Sequence, residues 1–333
     1  MSELPGLKLT LKRGALVAAA NWPLIAVQFV AESTLKVLLA VPVLGGIILV
    51  VLLVDADAGE LVSGDLRAIV AAVIDALRGN PAALAAFLGA FVLVLLGGSA
   101  LTFVAKGGTV AILAEAEATA GPIERPPLRL DSLRRAGRTT IDAFLEGCRR
   151  LWRRYLQLGA CLLLVYAGTG AGYLGFLVGG YALIDDIGVL LGWTVAAAGV
   201  SSVLLVWITL INVVYLLTQI VVAVEDVGVR AAVARVFRFG RVRLRELAGI
   251  FGVVLALVLL ATVASILGTA GLGLLSFVPI VAVIVMPLQI AAWFLRGFAF
   301  QYLALTALSA YLSLYRLHRH GARLAAVPGQ RPA

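Results

Sequence analysis

The chain of 333 residues is poor in almost everything from which a soluble catalyst is built. It has two cysteines, two histidines and only 14% charged residues. A soluble domain carries about 25% charged residues, so this chain lacks the polar surface to coat itself against water. That shortage excludes a soluble enzyme, a disordered protein and a secreted disulfide scaffold. Cys148 lies in a basic stretch and Cys161 in an apolar run, and we read them as two unlinked reduced thiols. His318 and His320 stand two residues apart with no thiolate or carboxylate cluster beside them, so no metal site is assigned. The acidic pairs Asp185-Asp186 and Glu225-Asp226 need not converge, and the second reads as a helix N-terminal cap. The Gly168–Gly172 run sits inside an apolar segment, away from the strand-to-helix turn that a phosphate loop requires. No catalytic residue and no cofactor follow from these residues. The first twenty residues show no cleavage-like site after a short apolar core, so the first hydrophobic segment is expected to stay as an anchor.

What the chain has is apolar length: 62% apolar residues and a mean hydropathy of +1.05. A bilayer core of roughly 30 Å takes about 20 apolar residues in a helix that satisfies its own backbone. Six segments qualify, at about 23–54, 81–105, 156–184, 187–224, 247–269 and 277–315. The expected fold is an all-α polytopic bundle of six spans, a single membrane domain over residues 1–333. Segments 187–224 and 277–315 are too long for simple perpendicular helices. Each is expected to cross once, as a long, bent or tilted helix or as a span preceded by an apolar outer segment, because a second crossing would put basic segments outside.

Charge sorts by side. Residues 1–20 sum to +2, loop 106–155 to +4, loop 225–246 to +3 and tail 316–333 to +4, whereas 55–80 sum to −3 and 185–186 to −2. By the positive-inside rule the first four are cytoplasmic, with both termini inside. An amphipathic piece at Leu66–Leu77 is expected on the outer face.

Three basic amphipathic stretches, Lys8–Ala20, Asp131–Tyr155 and Val227–Arg245, each run into a span. They read as interfacial helices, with Arg149, Arg150, Arg153, Arg154, Arg238, Arg241 and Arg243 reaching anionic lipid headgroups. Nucleic acid is not expected, because the basic clusters adjoin spans and lack aromatic interleaving. Within the spans, Arg296 shares a helical stripe with Gln289 and Trp293, and Asn212 shares one with Tyr215 and Gln219. If the stripes face each other they form a polar cleft for a headgroup or small substrate. Otherwise Arg296 snorkels, and Asn212 and Gln219 join helices by hydrogen bonds. Glu32 and Lys36 can pair one turn apart. The 35 glycines, including Gly168–Gly172 and Gly175–Gly180, lead us to expect close helix packing inside the spans.

The segment Val224-Glu-Asp-Val-Gly-Val-Arg-Ala-Ala-Val-Ala-Arg-Val-Phe237 resembles the acidic-Gly-x-x-x-Ala-x-x-Arg pattern of bacterial six-helix membrane proteins related to the membrane domain of glycerophosphodiester phosphodiesterases. The ending Leu312-Ser-Leu-Tyr-Arg-Leu-His-Arg319 is similar to that family's terminal helix. The resemblance implies a bacterial inner-membrane location. It carries no catalytic residue here, since the soluble phosphodiesterase domain is not in this chain. Three functions remain in order: a non-enzymatic lipid-interacting or assembly component, with a membrane-protein partner or a second copy; a small transporter using the cleft; and a membrane-embedded enzyme.

Overall fold

The structure, a computed structural model, describes residues 6–54, 79–124, 130–137, 139–181, 187–275 and 279–325. The expected piece at Leu66–Leu77 and the Asp185-Asp186 pair lie outside them. The described residues form helices and connecting turns, with no strand among them: α1 (Leu7–Ala20), α2 (Trp22–Val54), α3 (Pro81–Thr119), α4 (Leu130–Ala136), α5 (Ile141–Tyr181), α6 (Ile187–Glu225), α7 (Val229–Leu275) and α8 (Pro279–Ala325). Six of them, α2, α3, α5, α6, α7 and α8, are long and apolar enough to cross a membrane. The all-α helical bundle expected from the sequence is what the chain forms.

The chain divides into two compact units, Phe29–Ala105 and the combination of Met1–Gln28 with Lys106–Ala333. In the first, α2 and α3 run antiparallel: Leu35 faces Gly98, and Phe87 covers Gly46. Phe87 and Phe91 stack on this side of α3. Glu32 and Lys36 form their ion pair at 2.8 Å on an open face of α2.

The second unit shows where an overlong apolar run goes. In α6, no residue from Val189 to Val214 is buried, whereas Tyr215–Ala223 is buried almost without a break. In α8, residues 286–304 are unburied and every residue from Leu305 to Tyr315 is buried. One stretch of each helix meets lipid and the other meets protein. Both are apolar, so hydropathy joins them into one segment. Both helices are continuous, α8 running through Pro287, whose lost backbone bond a membrane helix can absorb locally.

The buried halves meet in one core. Val17 and Ala18 of α1, Val110 and Leu113 of α3, Leu151 and Tyr155 of α5, Ile220 and Val222 of α6, Phe239 and Ile250 of α7, and Ala310 and Leu312 of α8 all belong to it. The most apolar eighteen-residue stretch of α8 is 56% buried, against 0% for that of α5. The packed part of this unit is thus its basic end.

Close helix approaches are also found there. A methyl group on Gly14 would lie 2.7 Å from the Thr306 carbonyl and 2.8 Å from the Ala310 nitrogen, so α1 crosses α8 backbone to backbone. One on Gly147 would lie 2.8 Å from the Ala111 methyl and 3.2 Å from the Gly108 Cα, where α5 docks on α3. Gly168, Gly170, Gly172, Gly175 and Gly179 have open space beside them, whereas Gly180 lies against the Trp193 ring of α6, so among the glycines of these runs the expected close approach is met at Gly180.

Candidate functional site

The three basic stretches expected to lie in lipid are built differently. On α5 the apolar stripe Cys148, Leu151, Tyr155 and Leu158 is buried, against the bare surface of Gly107 and Gly108 on α3, while Leu145 and Trp152 stay exposed. Glycine makes this docking possible by letting the helices approach within a side chain's width. On α1, Thr10, Gly14, Val17 and Ala18 are buried. On α7, Ala232, Val236 and Phe239 are buried, and the helix kinks at Arg243 before the apolar stretch begins. The apolar faces therefore serve the protein core.

That docking turns the arginines outward. Arg149, Arg150, Arg153, Arg238 and Arg241 are exposed, while Arg154 and Arg243 are half-buried. Arg153 lies over the Trp152 ring at 5.2 Å, and Arg243 donates to Glu246 at 3.0 Å. Arg154 pairs with Asp226. Of the residues expected within the spans, Asn212 accepts a hydrogen bond from the Tyr166 hydroxyl of α5 at 2.6 Å. It belongs to a ladder that joins α5 to α6, with Tyr155 donating to the Gln219 carbonyl at 2.9 Å, Trp207 to Thr169 at 3.2 Å, and Tyr173 bonded to Ser201 at 2.6 Å. Gln219 is buried on the same face of α6 as Tyr215. Gln289, Trp293 and Arg296 are all exposed on α8, the Arg296 guanidinium 5.8 Å from the Phe300 ring. Neither of the two cavities described below is lined by any of these five.

A buried ion network passed unnoticed in the sequence. Arg13 of α1 donates through Nε to the Glu117 carboxylate at 2.6 Å and through Nη1 to Glu124 at 2.8 Å and the Gly121 carbonyl at 2.5 Å. Ser313 of α8 donates to the same Glu117 oxygen at 2.8 Å, and Lys12 to the Glu124 carbonyl at 2.9 Å. Burial acts to lower the Arg13 pKa, but the charges and hydrogen bonds of Glu117 and Glu124 outweigh it and push it up. The signal lies in Glu115-Ala-Glu117 and Glu124, three acids that a net charge of +4 for residues 106–155 conceals.

A second hub corrects the reading of Glu225-Asp226 as a cap for the following helix. Glu225 ends α6, and Asp226 takes the left-handed conformation (φ 55°) with its N–H on the Val222 carbonyl at 3.0 Å. Aspartate tolerates that region as a single residue. Glu225 then accepts the Tyr315 hydroxyl of α8 and pairs with Arg235 of α7, and Arg319 donates to the Val224 carbonyl at 3.3 Å. The 224–237 and 312–319 segments, far apart in sequence, meet at this carboxylate.

Two cavities open in this unit. One of about 450 Å³ is lined by Glu115, Glu146, Arg150 and Arg316 over a floor of Ala111, Ala114, Ala143 and Gly147. The other, about 530 Å³, lies between Leu7, Thr10, Gly249, Ile250 and Leu314, with Arg245 and Glu246 beside it. Among the described residues no group of three His, Cys, Asp or Glu side chains could hold a metal ion.

Six long apolar helices define a multi-pass membrane protein. No protein-family model, curated protein or solved structure matches the chain.

Proposed function

We propose that the chain is a non-enzymatic lipid-contacting and assembly component of a bacterial inner membrane, with both termini cytoplasmic. The carrying observation is the unequal packing. The basic ends of the helices share a polar-pinned core, while the most apolar stretches of α3, α5, α6 and α7 are at most 11% buried. Apolar helix faces left open by their own chain are covered by lipid or by the spans of another protein. The exposed Arg149, Arg150, Arg153, Arg238 and Arg241 suit anionic headgroups, at about 1 kcal/mol per basic residue near the surface. The resemblance to the membrane domain of glycerophosphodiester phosphodiesterases belongs to the same reading. So does the excess of basic over acidic residues in the segments that meet at the core.

The test is extraction with a native-membrane patch, followed by analysis of the retained lipid and protein. Enrichment of anionic lipid over the surrounding membrane, or a partner at fixed stoichiometry, is expected. A bare monomer carrying lipid of bulk composition overturns the proposal.

A further inference from the structure

The 450 Å³ cavity between α3, α5, α6 and α8 has a charge pattern that the packing does not use. Its size falls within the range of pockets that hold small ligands, about 300–1,000 Å³. Four charged side chains line it: Glu115 from α3, Glu146 and Arg150 from α5, and Arg316 from α8. None of the four forms an ion pair among the described residues, although Glu146 and Arg150 stand one helical turn apart, acid first. Elsewhere this end of the protein pairs its charges closely, as Arg13 with Glu117 and Arg235 with Glu225 show. Arg316 is half-buried, and its Nε is shielded from water without a hydrogen-bond partner. Glu117, whose charge reaches Arg316, is already engaged by Arg13 and Ser313.

A buried donor left unsatisfied costs about 1–3 kcal/mol, so a group that accepts from Arg316 is favoured. A bare anion would leave the two glutamates unanswered and facing it. A divalent cation would be repelled by the two arginines. A molecule carrying both signs answers all four. Two guanidinium forks can each take a pair of oxygens on one tetrahedral phosphate, which as a monoester carries about −1.5 to −2 charges, whereas a carboxylate offers one pair and a single charge. The alanine and glycine floor leaves room for a short carbon link between the two charged groups.

We propose that this cavity binds a phosphate joined by a short link to a primary ammonium, with Arg150 and Arg316 on the phosphate and Glu115 and Glu146 on the ammonium. The group is carried either on a free small molecule or on a lipid headgroup. The site shares Arg150 with the lipid-contact reading but does not rest on it, because the cavity and Glu115, Glu146 and Arg316 stand apart from the other exposed arginines.

Calorimetric titration of the full-length protein in detergent separates the possibilities, with O-phosphoethanolamine, inorganic phosphate, ethanolamine and a short-chain phosphatidylethanolamine as probes. O-phosphoethanolamine should bind at least about tenfold tighter than inorganic phosphate or ethanolamine alone, the worth of one charge-assisted hydrogen bond. Arg316→Gln should weaken it by about tenfold or more for the same reason. Glu146→Gln should reduce the preference over inorganic phosphate, since Glu115 remains, and leave phosphate binding in place. Since Glu146 is exposed, that variant keeps the test open if Arg316→Gln fails to fold. The short-chain lipid binding more tightly than O-phosphoethanolamine assigns the group to a headgroup, and the reverse order to a free solute. No binding of either amine phosphate overturns the proposal, as does equal affinity for inorganic phosphate or indifference to both substitutions.

Discussion

Glu117 shows why a single charge in this chain carries more than its share of a sum. Its side chain is 5% exposed, and it holds Arg13 of α1 and Ser313 of α8 on one oxygen. Removing one partner of a buried pair leaves the other without compensation, at about 3–5 kcal/mol. Glu117→Ala should therefore lower the thermal unfolding temperature in detergent clearly, as should Arg13→Ala. The double variant should lose less than the sum of the two, with a coupling of about 1–3 kcal/mol. Additive losses would mean that the pair is not what joins α1 to the rest. By contrast the Glu32–Lys36 pair, with side chains 45% and 70% exposed, belongs to the class of surface pairs that contribute little.

At the scale of helices, glycine separates two kinds of position that composition treats alike. Gly14 faces backbone atoms of α8, which cannot move aside as a side-chain tip can. Gly14→Ala should destabilise the protein by about 1–3 kcal/mol, the usual cost of overpacking a tight contact. Gly168→Ala, with open space around it, should cost nothing and can gain up to about 1 kcal/mol in helix propensity. Thermal unfolding of the two variants side by side checks both, and equal losses would place close packing in the spans after all. Helix existence and approximate position were legible because long apolar runs leave the backbone one solution in lipid. The destination of each apolar face was not. The stretch Asp131–Tyr155 reads as an interfacial helix from its arginines, and only the coincidence of Gly107 and Gly108 with Gly147, some forty residues apart in sequence, shows that its apolar face, with Leu151 and Tyr155, docks on protein. Asn212 likewise could have faced α8 or α5 on pattern alone, and the Tyr166 hydroxyl decides for α5.

For the whole molecule, length and charge have to be reconciled with one crossing per long helix. α6 has 39 residues, about 58 Å at 1.5 Å per residue, nearly twice a bilayer core of roughly 30 Å. Its unburied stretch up to Val214 is enough to cross, and the rest is needed to reach the shared core. The same division in α8 leaves its basic end beside α1 and α6, through Gly14 against Ala310 and Arg319 on Val224. The Gly121 carbonyl bonds to Arg13, which ties the segment after α3 to that same end. If each of the six helices crosses once, reporters fused after Gly121 and after Ala325 must show one side of the membrane and a reporter after Gly59 the other. On the proposed orientation the shared side is the cytoplasm, as the charge of the converging segments favours. A reporter after Ala325 that disagrees with one after Gly121 would mean that α5, α6, α7 or α8 crosses differently. The contacts of Arg13 and Glu225 could not then coexist in a membrane, because a bilayer would lie between their partners.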